Sequence, residues 1–335
     1  MNNSRANRIM FFLGAGASAP MGIPTMRQFS KEFVEYGEKP ENRERIGYIL
    51  RDLNRVTGTG AWDLEQLLLL IRQAKSIDND VAVNLLRKRL FKGESLNKQK
   101  FDERARSIGD QFETIERILL EYIRTRCLNP EMERAREIYS KILPISEEYI
   151  LDIFTTNYDP VLENICNELG YDYSDGFYAD KRIEAFKWDE RCLSSAKINI
   201  YKIHGSVTWY KKDNDVLKFP VVDISKAPGI NTVMVYPTEL KEILNPPFSQ
   251  IHRIFEKILF ESNLCVVVGH SFRDNYIRNL FLDRLKEKKF KMYFIGGRFT
   301  RSIKKSSFGR TTMVSPITKN FEDVDIIDLI NKHLK

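Results

Sequence analysis

RIMFFLGAGASAPMGIPTMR, residues 8 to 27, opens with five consecutive apolar side chains, Ile9 to Leu13, and then turns on Gly14-Ala15-Gly16-Ala17-Ser18. The apolar run suits a strand buried on both faces of a parallel sheet. The small residues that follow let the backbone turn sharply and bring its N–H groups to the surface, where a phosphate can accept them. A glycine turn without a ligand is the competing reading, because a lone G-x-G is common. The rest of the chain decides between them.

The 335 residues can bury a large core and accommodate two folding units. Hydrophobic residues make up 42% and charged residues 30%, which excludes a disordered chain. There is no run of eighteen apolar residues, and MNNSRANR lacks the apolar segment of a signal peptide, so a cytoplasmic protein with no membrane contact is expected. Cys127, Cys166, Cys192 and Cys265 are scattered without a C-x-x-C pair, which argues against a disulfide framework and against a zinc ribbon. Reduced packing residues, and no metal, are expected. The net charge of +7 is modest, but nine Lys or Arg between Lys286 and Arg310 face one acid, Glu287. A solvated sheet rim is the simpler reading of that segment, and a nucleic-acid contact is the other.

Taken in order, Thr25 and Gln28 have the spacing of a helix cap with its return partner, opening a helix toward Gly37. From Glu41 to about Pro144 the texture becomes charge-laced with helical apolar spacing, as in Ile46, Ile49, Leu50 and Leu53, or Phe112, Ile115, Leu119 and Tyr122. Asp63 reads as a cap ahead of Leu67 to Ile71. Strand character returns at Tyr149 to Phe154 and runs into Thr155-Thr156-Asn157-Tyr158-Asp159-Pro160, with helix from Val161 to about Leu169. Such strand-to-helix junctions are where parallel sheets present binding groups, although Asn157 and Asp159 could merely cap the helix. After a polar, aromatic excursion from Tyr171 to Ala196, a strand at Asn199 to Ile203 ends in His204-Gly205-Ser206. Histidine is the side chain suited to proton transfer near neutral pH, whereas His252 and His333 have no comparable setting. Leu264 to Val268 is another buried strand, opening into Gly269-His270-Ser271-Phe272-Arg273-Asp274, and Met292 to Gly296 and Val324 to Ile330 add a strand and a closing helix.

Four polar turns therefore follow four apolar strands, and in this order they resemble the sirtuin family. Gly14, Ala15, Gly16 and Ser18 with Gly22, Ile23, Pro24 and Arg27 are similar to that family's GAG-x-S and GIP-x-x-R sequences. Thr155 to Asp159 resembles its T-Q-N-I-D, with Thr156 in place of glutamine; His204-Gly205 resembles its catalytic HG, and Gly269 with Ser271 its late G-x-S. The four-cysteine zinc module that follows HG in sirtuin deacetylases has no counterpart here. In this, and in the G-x-S-x-x-D form that ends at Asp274, the chain looks more like the sirtuin-like branch of bacterial anti-phage defence, whose members cleave NAD.

The resemblance implies an α/β, Rossmann-like, mostly parallel sheet with helices on both faces. Residues 1–38 and 146–335 would form the NAD-binding part and 39–145 a large helical insertion. It implies an NAD glycohydrolase yielding nicotinamide and ADP-ribose, with NAD as substrate. Asn157 would orient the nicotinamide ribose or the attacking water, His204 would act as general base, and Asp159 would lie near the carboxamide. Backbone N–H groups from Gly14 to Ser18, with Ser271, would hold the pyrophosphate; Thr156, Gly269 and Asp274 would complete the cofactor site, and Arg27 would add charge on the nicotinamide side. NAD-dependent protein deacylation or ADP-ribosylation, and a non-catalytic NAD or ADP-ribose sensor, are the alternatives. A freely active enzyme of this kind would poison its host. An off state is therefore expected, set by homo-oligomerisation through the helical insertion, by a closed insertion, or by a second protein of a defence operon, of the HerA-like ATPase or Argonaute type.

Overall fold

A computed structural model of the chain describes residues 8–43, 47, 68, 98–181, 185–213, 215–219, 231–234, 244–287 and 289–334. The chain divides into two compact units, Met1–Ile23 with Cys127–Lys335, and Pro24–Arg126. Its strands are β1 (Arg8–Leu13), β2 (Ile150–Thr155), β3 (Tyr173–Ser174), β4 (Phe177–Asp180), β5 (Ala185–Trp188), β6 (Ile198–Lys202), β7 (Gly205–Lys212), β8 (Asp215–Lys218), β9 (Asn231–Met234), β10 (Leu264–Val268), β11 (Lys291–Ile295) and β12 (Val314–Ile317). Its helices include α1 (Ala15–Ser18), α2 (Met26–Glu38), α3 (Lys98–Leu128), α4 (Met132–Tyr139), α5 (Val161–Leu169), α6 (Phe248–Glu261), α7 (Asn275–Arg284), α8 (Thr300–Lys305) and α9 (Ile326–Leu334).

The first unit is built on a parallel sheet of seven described strands in the order β12-β11-β10-β1-β2-β6-β3. This is the α/β architecture the apolar strand runs imply. Met10, Phe12, Phe154, Tyr201, Cys265, Val267, Met292 and Phe294 line one face and form a core with Ile251, Phe255 and Leu259 of α6 and Ile277 and Phe281 of α7. Residues of the other face, among them Ile9, Phe11, Leu151, Ile153, Ile200 and Val266, are buried as well, as a sheet covered on both sides requires. At the start of β1 and β2 the Arg8 guanidinium holds the buried Asp152 carboxylate through two 2.7 Å hydrogen bonds. Asn199 adds a third at 3.1 Å, so the charge is fully partnered.

The topology places the functional edge. From β1 the chain moves to β2 and β6 on one side, then crosses back to β10, β11 and β12 on the other. The switch point lies between β1 and β10, and in open α/β sheets the binding crevice forms at the carboxyl ends of the strands at such a point.

A second sheet of five described strands, antiparallel in the order β4-β5-β8-β7-β9, follows from the region between Phe177 and Met234. In sequence, 171–196 reads only as a polar, aromatic excursion, and the sheet is a departure from that expectation. Its strands are short and carry charged residues between aromatic ones, so neither a continuous apolar run nor a long alternation marks them. Lys218, on β8, shows the pattern: its ammonium is bonded to Asp175 and lies 5.3 Å and 4.9 Å from the ring centres of Phe177 and Phe186.

In the second unit, Thr25 caps α2 through a reciprocal box with Gln28, whose Oε1 accepts from the Thr25 N–H at 2.9 Å. Phe33 and Tyr36 of α2 pack on Tyr122 of α3, with ring centres 5.6 Å and 5.3 Å apart, and Ile115, Leu119 and Ile123 are buried. Ile46, Ile49, Leu50, Leu53, Asp63 and the apolar residues flanking Leu68 lie outside the described residues. Leu68 itself is helical and buried.

Candidate active site

Four strand ends meet through contacts that run around a ring. The β10 turn reaches the β1 turn by backbone: Gly14 N donates to Val268 O at 2.9 Å and Gly16 N to Gly269 O at 3.0 Å. Gly269 has φ +60, and a Cβ on it would come within 2.3 Å of Gly16 Cα, so both positions need glycine for the approach. The β1 turn reaches the β2 turn through side chains. Asn157 Nδ2 donates to Gly14 O at 3.0 Å and to Ser18 Oγ at 2.8 Å, and Ser18 Oγ donates in turn to Asp159 Oδ2 at 2.8 Å.

The β2 turn is joined to the end of β6 and to β7 by Ile203 N on Thr155 O at 2.9 Å and Val207 N on Tyr158 O at 3.0 Å. The ring closes where His204, after β6, faces Asp274 at the start of α7, with Nε2 4.0 Å from Oδ2. Asp274 Oδ1 caps α7 by accepting from Tyr276 N at 2.8 Å and Ile277 N at 3.2 Å.

The electrostatics follow from burial. Burial pushes the His204 imidazole down to about 3, helped by the neighbouring His252 and His270 rings, so it is neutral at physiological pH. It therefore makes no ion pair with Asp274, whose own carboxyl is pushed up by burial. Nδ1 of His204 has no hydrogen-bond partner among the described residues. His270, in contrast, is a packing residue. Its ring lies edge-on to Phe12 and Phe272, both at 4.8 Å, and its Nδ1 accepts from Phe272 N at 3.1 Å.

The structure brings together Gly14, Ala15, Gly16, Ser18, Thr156, Asn157, Asp159, His204, Gly269, Ser271 and Asp274 on these adjoining strand ends. Arg27 lies in the first turn of α2 in the other compact unit. Within the glycine turn the amides of Gly14, Gly16 and Ala17 are already bonded inside the protein, Ala17 to Gly14 O at 2.8 Å. The Ala15 amide, at the first position of α1, is one that needs no intrahelical partner. Ser271 is exposed on the β10 turn.

One further residue shapes the site. Lys202, buried at the end of β6, donates to the carbonyls of Asn157, at 3.3 Å, and Asp159, and lies 3.5 Å from the buried Glu163 carboxylate. It thus pins the backbone that carries the two candidate residues. A lysine inside the apolar run Ile200 to Ile203 was the sequence signal for it. His252, on α6, is also buried.

Residues 152–312 match the model of the SIR2-like domain. No curated protein matches the chain in sequence. Among solved structures the chain is similar to a Sir2 enzyme studied for mechanism and regulation, at 12% identity over 98% of this chain and 93% of that one, with a TM-score of 0.43. It is also similar to a Sir2 mutant with a p53 peptide and NAD, at 11% identity over 99% and 95%, with a TM-score of 0.42. These distant likenesses leave the chemistry to be taken from this chain's own residues. The turns at Thr155, His204 and Gly269 fall within the matched segment and the turn at Gly14 precedes it. What the comparisons establish is thus a likeness of residues 152–312 to the SIR2-like domain.

Proposed function

We propose that the chain is an NAD glycohydrolase, converting NAD and water to nicotinamide, ADP-ribose and a proton. The SIR2-like domain supports NAD as the molecule used. The observation that carries hydrolysis is the buried, neutral His204 set opposite the Asp274 carboxylate on the ring of strand ends.

Cleaving the nicotinamide–ribose bond builds positive charge at the ribose carbon and requires a nucleophile held in place. Both amide hydrogens of Asn157 are spent on Gly14 and Ser18, so what it offers a ligand is its Oδ1, an acceptor suited to a hydroxyl or a water. His204 accepts the proton given up by the ribose hydroxyl or the water. An imidazole held far below 6.5 is a weak base, and Asp274 is the group placed to correct this. Its carboxylate stabilises the imidazolium as it forms, as the acidic member of a triad does.

An activity of this kind depletes its host, which supports a toxic effector of anti-phage defence that is switched on by a partner or by assembly. The test is nicotinamide release from NAD by wild type and His204→Ala, with ADP-ribose binding measured in parallel. Loss of release with binding retained is expected. Equal release by the two proteins would overturn the assignment.

A further inference from the structure

His252 shares none of the roles assigned so far, yet its setting is that of a site residue. It is 5% exposed, and neither ring nitrogen has a hydrogen-bond partner among the described residues. Buried polar groups are ordinarily satisfied, so an imidazole with both nitrogens idle among the described residues is suited to receive a ligand group.

Its neighbours locate it. Phe248, one helical turn earlier on the same face of α6, packs at Gly205, the residue after His204: a Cβ there would stand 3.3 Å from the Phe248 ring. The His252 ring lies 5.5 Å from that of Tyr276, and the Tyr276 N–H is held by Asp274, the carboxylate facing His204. His252 therefore sits beside the His204–Asp274 pair.

We propose that His252 is a second imidazole of the site, a binding residue that hydrogen-bonds a ribose hydroxyl on the nicotinamide side of the dinucleotide. This rests on the reading of NAD as substrate. The chemistry selects the group. A neutral imidazole offers one donor and one acceptor, which a hydroxyl can match at once, whereas a pyrophosphate calls for cations and N–H donors.

Calorimetric titration with ADP-ribose and with ADP, which lacks the distal ribose, tests this on wild type, His252→Phe and His252→Gln. His252→Phe should weaken ADP-ribose about tenfold, leave ADP unchanged and leave the Tm unchanged or raised, since an idle polar group becomes apolar. His252→Gln, which can still donate and accept, should keep most of the ADP-ribose affinity. Unchanged ADP-ribose binding in His252→Phe, or equal weakening of both ligands, would overturn the proposal while leaving NAD as substrate. A wild type that binds neither ligand would overturn both.

Discussion

Gly269 and Gly16 stand against each other so closely that a Cβ on Gly269 would meet Gly16 Cα at 2.3 Å. The contact locks the turns of β10 and β1 at the topological switch point, so its first role is structural. Gly269→Ala combines a left-handed backbone with a backbone clash and should cost about 3 kcal/mol. Gly170→Ala is the control: its φ is +74, but nothing lies within 4 Å of its Cβ, so strain alone should cost about 1 kcal/mol. Equal losses in urea unfolding would show that the interlock contributes nothing.

Lys202 should matter to stability and to activity for separable reasons. Replacing it by Met leaves the buried Glu163 without its cation and releases the carbonyls of Asn157 and Asp159. A loss of about 3 kcal/mol is expected, tempered by protonation of Glu163, whose carboxyl burial already pushes up. Adding Glu163→Gln should restore part of the stability by removing the orphaned acid, but not NAD cleavage, because the loop stays unpinned. Recovery of both together in denaturation and nicotinamide-release assays would refute the anchoring role.

These two cases show what was legible in sequence. The five central parallel strands, β1, β2, β6, β10 and β11, were plain because burial writes them as apolar runs, Leu264 to Val268 being the clearest, whereas the short edge strands β3 and β12, only partly buried, carry no such run. The turn residues could be named because the four turns, in their order, resemble sirtuin motifs; taken alone, Asn157 and Asp159 read equally well as helix caps. The pairing between turns was not legible. Nothing in the sequence says that Asn157 spends its amide on Gly14 and Ser18, or that Gly16 spends its N–H on Gly269, since these depend on strand order. His252 is invisible for a similar reason: it follows no apolar strand into a turn, and only the fold places its helix beside His204.

Acid should destabilise the protein through its buried histidines, with the raised carboxyls of Glu163 and Asp274 acting in the opposite sense. Burial holds His204, His252 and His270 at about 3, 4 and 3, all below the unfolded value near 6.5. The unfolded state therefore binds more protons between these limits, so stability is complete above pH 6.5 and is lost as the pH falls. Each histidine contributes up to about 1.4 kcal/mol per pH unit in that window. Asp274 faces His204 and Glu256 raises the His252 value, so both act against the effect of burial. The Tm should drop clearly between pH 7 and 5.5, and by about a third less in His252→Phe. A flat Tm over that range would mean that these rings are not held neutral by burial.

Asp274 allows charge to be separated from structure. Its Oδ1 caps α7, and asparagine caps a helix about as well, so Asp274→Asn should leave the Tm nearly unchanged. The substitution removes the carboxylate 4.0 Å from His204 Nε2, which is the group proposed to stabilise the imidazolium once the proton is taken up. A fall in kcat of about tenfold to a hundredfold, with ADP-ribose affinity little changed, is therefore expected. Asp274→Ala, which loses the cap as well, should add a stability cost of about 1 kcal/mol without a much larger kinetic loss. If Asn retained full kcat, the base would act without its carboxylate and Asp274 would be a cap alone. If Ala and Asn lost activity in proportion to lost stability, the effect would belong to the helix terminus and not to the proton transfer.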